Sequence, residues 1–380
     1  MKRVVFFLAL VMMASALAVC TSGSALAAGA IKIGGTGPLT GGAAIYGQAA
    51  RNGAQIAVDE INALGGVQFE LNYQDDEHDA EKAVNAYNNL KDWGMQVSLG
   101  AVTSTPGVAT SVENNTDRIF AITPSASAVA VTEGKNNVFQ MCFADPNQGS
   151  ASAQYISDQK LGSKVAVIYK NDDVYSSGIF ETFKAKAGEI KLEIVSVTTF
   201  TEDSQQDFSV QLADAKNNGA DLIFLPMYYT PASLIFQQAK SIGYTPKYFG
   251  VDGMDGILTL EGFDTALAEG VVLLTPFNAT ASDKRTTGFV AKYKTAHGEV
   301  PNQFAADGYD CVYAIYEAVK AGNVTPDLPA PAICDILVKQ FTSMSFNGLT
   351  GDNMTWGVNG QVAKDPKGMI IKNGAYVGID

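Results

Sequence analysis

Two short stretches hold hydroxyl groups dense enough to do chemistry. Residues 103–106 read Thr-Ser-Thr-Pro and residues 123–127 read Thr-Pro-Ser-Ala-Ser. A hydroxyl becomes a nucleophile beside a base that takes its proton, and the segment 100–110, GAVTSTPGVAT, has neither histidine nor lysine. Hydroxyls next to the free N–H groups of a helix start form an anion site instead, well suited to a carboxylate. Thr105 is expected to cap a helix with Pro106 at its first position. The 123–127 loop is read as opening toward a second helix. Groups of the opposite kind follow later in the chain. Asp252 offers a carboxylate to an ammonium, and Tyr175, Tyr228 and Tyr229 offer rings with polar tips.

No catalytic set accompanies these residues. The two histidines are His78, in the acidic run DDEHDAEKA, and His297, after a polar helix end. His78 reads as part of a solvated strand-to-helix loop and His297 as a surface residue at a helix C-terminus. A zinc site needs partners at fixed spacing, and none is present. GGTGPLTGG is not a dinucleotide loop, because Pro38 interrupts it and no Walker lysine follows. No G-x-S-x-G elbow occurs. The expectation is a binding protein with no metal and no cofactor, not an enzyme.

The elements that must hold these loops alternate. IKIGGTGP opens with a strand. A helix follows with Ala54, Ala57, Val58 and Ile61 on one face, ending at Gly65-Gly66. Strand and helix then alternate through RIFAIT. A second series of the same layout starts at KVAVIYKND, and FADPNQG (143–149) is a candidate crossover between the two. Such alternation implies parallel sheets with helices on both faces. The expected fold is α/β, two doubly wound lobes joined by a hinge. Residues 31–147 with 276–352 are assigned to the first lobe and 148–275 with 353–380 to the second. Open α/β sheets bind ligands beyond the carboxyl ends of their strands, where both sets of candidate residues fall.

The chain has 380 residues and a net charge of −13. An acidic chain with no basic run argues against nucleic acid. Lys2 and Arg3 precede the apolar run Val4–Val19, which reads as a signal peptide. Cleavage after Ala25-Leu26-Ala27 gives a soluble product, whereas Leu17-Ala18-Val19-Cys20 resembles a lipobox whose use gives a lipid anchor. Cys311 and Cys334 are candidates for pairing or for burial as apolar residues.

The segments IKIGGTGPLTGGAAIYGQAARNGAQIAVDEINALGG, TPSASA, FADPNQG, DVYSSG and GADLIFLPMYY resemble the leucine/isoleucine/valine-binding family of type I periplasmic binding proteins, which serve branched-chain amino-acid ABC transporters. The resemblance implies two lobes joined by three crossovers and closing on a free amino acid, with permease subunits as partners and the protein itself a monomer. It assigns the ligand carboxylate to Ser104 and Ser127 and the ammonium to Asp252 and the Ser125 carbonyl. It also implies contacts from Tyr46, Tyr175 and Tyr228. The family's first-lobe cysteine pair corresponds here to His78 and Thr103, so that bridge is missing. Two alternatives stay open: a sensing protein that reports to a receptor, and a binder of a different small carboxylate.

Overall fold

The computed structural model describes residues 29–379, so the signal-peptide and lipobox readings fall outside the described residues. The first lobe begins β1 (Ile31–Gly37), α1 (Ala44–Ala63), β2 (Phe69–Asp75), α2 (Ala80–Trp93), β3 (Val97–Leu99), α3 (Ser104–Asp117), β4 (Phe120–Thr123) and β5 (Val138–Gln140). The second runs α4 (Asp145–Asp158), β6 (Lys164–Lys170), α5 (Val174–Ile190), β7 (Glu193–Phe200), α6 (Ser209–Asn217), β8 (Leu222–Leu225), α7 (Tyr229–Ser241), β9 (Lys247–Gly250) and β10 (Val272–Thr275). The chain then returns through α8 (Lys284–His297), α9 (Gln303–Ala321) and α10 (Ala330–Phe341) to the hairpin β11 (Thr355–Trp356) and β12 (Val362–Ala363). Strands β13 (Lys367–Lys372) and β14 (Ala375–Gly378) finish it.

The first sheet has the order β2-β1-β3-β4-β5, parallel throughout. In the second, β7-β6-β8-β9-β10 repeats that order in parallel, and β13 and β14 extend it antiparallel. Strand order therefore reverses between β1 and β3 in one lobe and between β6 and β8 in the other. Ligands of such sheets bind at these switch points. Tyr46, Ser104 and Tyr175 lie in the first turns of the helices that follow β1, β3 and β6, and Tyr228 caps the helix that follows β8.

Four expectations are corrected. Helix α3 begins at Ser104, not after Thr105, with Thr103 at the cap position but making no capping bond. Pro106 is the third helical residue, where its missing N–H still costs no intrahelical bond. No α-helix follows the 123–127 loop. Only a 3₁₀ turn at Val129–Val131 precedes β5, because Gly134 and Asn136-Asn137 end the segment. The hairpin β11–β12, expected in the second lobe with 353–380, packs on the first. There Trp356 contacts Phe341 and Phe346, and its Nε1 donates to the Gln140 carbonyl at 2.8 Å. Residues 364–366 thus form the third crossover. Helix α4 begins at Asp145, before the expected boundary at 148, and packs along α5, Gly149 fitting against Ile179 and Thr182.

Each sheet has its own core. Ile33, Val97, Leu99, Phe120, Ile122, Val312 and Ile315 are buried in the first, together with Cys311 and Cys334, which are free thiols and not a pair. Helices α1 and α9 cross closely because both present glycine. A Cβ on Gly53 would overlap the Ala305 carbonyl, and one on Gly308 the Ala50 carbonyl. That crossing sets Tyr46, near the start of α1, against Phe304 of α9 at a centroid distance of 4.5 Å.

Candidate functional site

Helix α3 points its first turn at the cleft between the lobes. Ser104 is buried, and its Oγ accepts from the amides of Ser127 and Ala128, both at 3.2 Å. With both lone pairs engaged, the hydroxyl has its O–H left to donate. The two hydroxyl loops are thus bonded together, and Ser104 is oriented as a donor. Thr123 shapes the second loop from within. Its Oγ1 donates to the Ala101 carbonyl at 2.5 Å and accepts from Ser125 and Ala126. Ser127 is buried, and its hydroxyl has no hydrogen-bond partner in the protein.

The second lobe presents the opposite face. Tyr175 and Tyr228 stack, with centroids 4.9 Å apart and planes within 1° of parallel. The Tyr175 hydroxyl donates to Asp252 Oδ1 at 2.5 Å and accepts from the Gly253 amide at 2.9 Å. Asp252 lies on a 3₁₀ turn after β9 and is only 2% exposed. Burial pushes its carboxyl up to about 6, against the opposing hydrogen bond from Tyr175. The Tyr228 hydroxyl is buried beside the Ser104 amide without a bond of normal geometry.

Tyr46 spans the cleft. Its hydroxyl donates to the Gly253 carbonyl at 2.5 Å and accepts from the Tyr229 amide at 3.1 Å. Thr230 adds a bond to the Gly42 carbonyl at 2.7 Å. The lobes are therefore closed on one another. Ser104, Ser127, Tyr46, Tyr175, Tyr228 and Asp252 are gathered at one junction, and Ser125 sits on the same loop as Ser127.

His78 is not the solvated loop residue expected. Residues 77 and 78 both adopt positive φ, and an Asx bond from the His78 amide to Asp76 turns the chain inward. Its Nδ1 lies 2.9 Å from Thr103 Oγ1, its ring meets Tyr228 edge-on, and its Nε2 stands 3.8 Å from Asp173 of the other lobe. Burial holds its pKa below the usual imidazole value although Asp173 works the other way. A cavity of about 150 Å³ bounded by Gly42, His78, Lys170, Asp173 and Tyr228 opens beside it. His297, as expected, is exposed at the end of α8.

Sequence reasoning missed several residues here. Asp145 and Gln148 lie in FADPNQG, which the sequence marks only as a crossover. Their i, i+3 spacing at a helix start places both on one face. The Gln148 Oε1 accepts from the Asp252 amide at 3.3 Å. Gln303 donates from Nε2 to the Asp252 carbonyl at 3.2 Å. Lys364, in the third crossover, forms a buried ion pair with Asp307 at 3.3 Å and donates to Thr350 at 2.8 Å. Among the described residues, no group of acids, histidines and cysteines is arranged to hold a metal.

Residues 30–374 match the family model described as periplasmic binding protein. The chain belongs to the periplasmic binding protein family. This periplasmic binding protein is 27% identical, over 81% of its length and 83% of the relative's, to the leucine-, isoleucine-, valine-, threonine- and alanine-binding protein of Pseudomonas aeruginosa. It is also similar to a solved branched-chain amino acid transporter substrate-binding protein of Streptococcus pneumoniae in complex with isoleucine. That match has a TM-score of 0.82 and 28% identity, over 92% of this chain and all of the other. A solute-binding protein of an ABC transporter from R. palustris, solved with benzoate, shares the fold at a TM-score of 0.82 and 22% identity, over 92% and 96% of the two chains. These relatives are solute-binding proteins. No helix among the described residues is long and apolar enough to cross a membrane.

Proposed function

We propose that this chain is the extracytoplasmic substrate-binding protein of an ABC importer, and that it captures a free amino acid between its lobes and presents it to the permease. One observation carries the reading. A buried carboxylate, Asp252 on Tyr175, faces across the cleft to buried hydroxyls, Ser104 and Ser127, that have hydrogens to donate. An α-amino acid brings an ammonium and a carboxylate to match. The ammonium goes to Asp252 and the Ser125 carbonyl, and the carboxylate to Ser104, Ser127 and the amides that open α3. Tyr46, Tyr175 and Tyr228 enclose the ligand. The ligand favours the closed form because it contacts both lobes.

A ligand such as benzoate, with a carboxylate and no cation, leaves Asp252 buried without a partner, which is costly. Thermal unfolding with a panel of amino acids and benzoate separates the two. A ligand at 100 times its Kd adds about 2.7 kcal/mol of stability. Stabilisation by an amino acid and not by benzoate is the expected result. Stabilisation by benzoate alone refutes the reading.

A further inference from the structure

A second cavity lies outside the cleft. It has a volume of about 270 Å³, and Asp255, Leu258, Phe277, Val300, Met369 and Tyr376 are among its walls. None of the residues gathered at the cleft junction lines it. Leu258 follows β9, and Met369 and Tyr376 belong to β13 and β14, so these walls come from the second lobe. Val300 leads into α9 of the first lobe, and Phe277 stands just after β10, where the chain passes from one lobe to the other. An occupant of this cavity touches both lobes beside the hinge.

One polar group of the wall is left over. The hydroxyls are engaged. Thr259 donates to the Gly256 carbonyl at 2.9 Å, Thr275 to Gln303 Oε1 at 2.8 Å and Thr280 to Asn278 Oδ1 at 2.7 Å. The Tyr376 hydroxyl accepts from the Gly256 amide at 3.0 Å. Asp255 differs. It is 4% exposed, and its Oδ2 accepts from the Gln303 amide at 2.8 Å. Its Oδ1 has no hydrogen-bond partner in the protein, the Tyr376 hydroxyl lying near the carboxyl without a bond of normal geometry. No lysine, arginine or histidine lines the cavity. The charged neighbour on the same turn is a second carboxyl, Asp252, whose carbonyl receives the Asp255 amide at 2.9 Å. Burial pushes the Asp255 carboxyl up to about 6, so above that pH it is ionised with no cation on the wall. A buried carboxylate in that state is costly until a cation meets it.

We propose that this cavity is a second ligand site, taking a small primary amine whose apolar chain lies against Leu258, Phe277 and Met369 and whose ammonium is received by Asp255. Apolar walls with one polar anchor are the usual make-up of a small-molecule site. The volume falls below the roughly 300–1,000 Å³ of ordinary ligand pockets, which limits the occupant to a short chain or a single ring. A free amino acid suits the cavity poorly, because its carboxylate meets no cation there. The site does not depend on which solute fills the cleft.

The test is calorimetric titration of the purified protein at pH 7.5 with n-hexylamine against 1-hexanol, which has the same chain and no charge. Hexylamine is expected to saturate one site and to bind tenfold or more tightly than hexanol. Asp255→Asn keeps an acceptor for the Gln303 amide and removes the charge, and there the ratio should fall to within threefold. Val300 is 50% exposed, so Val300→Trp fills the mouth of the cavity without altering Asp255 and should weaken hexylamine at least fivefold. Hexylamine that does not saturate, or binds no more tightly than hexanol, overturns the proposal. So does an unchanged ratio in a folded Asp255→Asn protein, or unchanged affinity in Val300→Trp. Binding that survives Asp255→Asn and is lost in Asp252→Asn puts the amine in the cleft and overturns it as well.

Discussion

Asp252→Ala is the sharpest test of the cleft. The carboxylate is 2% exposed and receives the Tyr175 hydroxyl at 2.5 Å. Removing it leaves the ligand's ammonium buried with no counter-charge, a loss of about 3–5 kcal/mol for one partner of a buried pair. At about 1.4 kcal/mol per decade, affinity falls by roughly two to nearly four orders of magnitude. Asp252→Asn keeps the shape and an acceptor for Tyr175, so it isolates the charge and should lose most of the same affinity. The pH dependence gives an independent reading. The carboxyl holds its proton up to about 6 in the closed, ligand-free protein. An ammonium binds the ionised form, so lowering the pH from 7.5 to 5 should weaken an amino acid with an uncharged side chain by about tenfold. That dependence should vanish in Asp252→Asn. Calorimetry at both pH values decides the matter. An Asp252→Ala protein that unfolds normally and binds within threefold of the parent refutes the assignment.

Other outcomes follow from the same geometry. Tyr46→Phe leaves the Gly253 carbonyl and the Tyr229 amide unpaired in the closed form, costing about 1–3 kcal/mol of affinity, seen as faster ligand release in stopped-flow traces. Gly53→Ala forces a methyl into the Ala305 carbonyl at the α1–α9 crossing, and urea unfolding should show a loss of about 1–3 kcal/mol or more. Ligand-free stability should rise as the pH falls from 7.5 to 5. Burial raises Asp76 to about 7, and Asp252 and Asp255 to about 6, while the unfolded chain gives up those protons near 3.8, so the folded state binds more protons across that window. His78, depressed by burial, opposes this below its ordinary value of 6.5, as one group against several raised carboxyls, Asp307 at about 7 among them. Urea midpoints across the range check the sign.

Much of this was legible in the sequence because the lobes are built from local signals. Most strands of the two parallel series are short apolar runs, and the apolar face read from Ala54, Ala57, Val58 and Ile61 is the buried face of α1. What failed to show depended on distance in space. The Lys364–Asp307 pair joins residues far apart in the chain, and neither looks special in its own segment. His78 looked solvated because its neighbours are acidic, yet its backbone turn and the closing of the second lobe bring it against Tyr228. The cap of α3 went to Thr103 because Ser104 is held in the helix by the loop it bonds. Asp145 and Gln148 were visible as an i, i+3 pair, but only the placement of α4 against the Ser127 and Asp252 loops gives that spacing a meaning.

The tie between His78 and Thr103 has a consequence for how the chain matures. It joins two first-lobe loops at the positions that the resemblance matches to a cysteine pair, and it is a hydrogen bond of 2.9 Å. A disulfide forms only by passing electrons to an oxidant, through exchange steps that take seconds to hours. A hydrogen bond forms as soon as its groups meet. Cys142, Cys311 and Cys334 are all buried free thiols. The described chain therefore reaches this fold without oxidation, and its folding makes no demand on the reduction potential of the compartment that receives it.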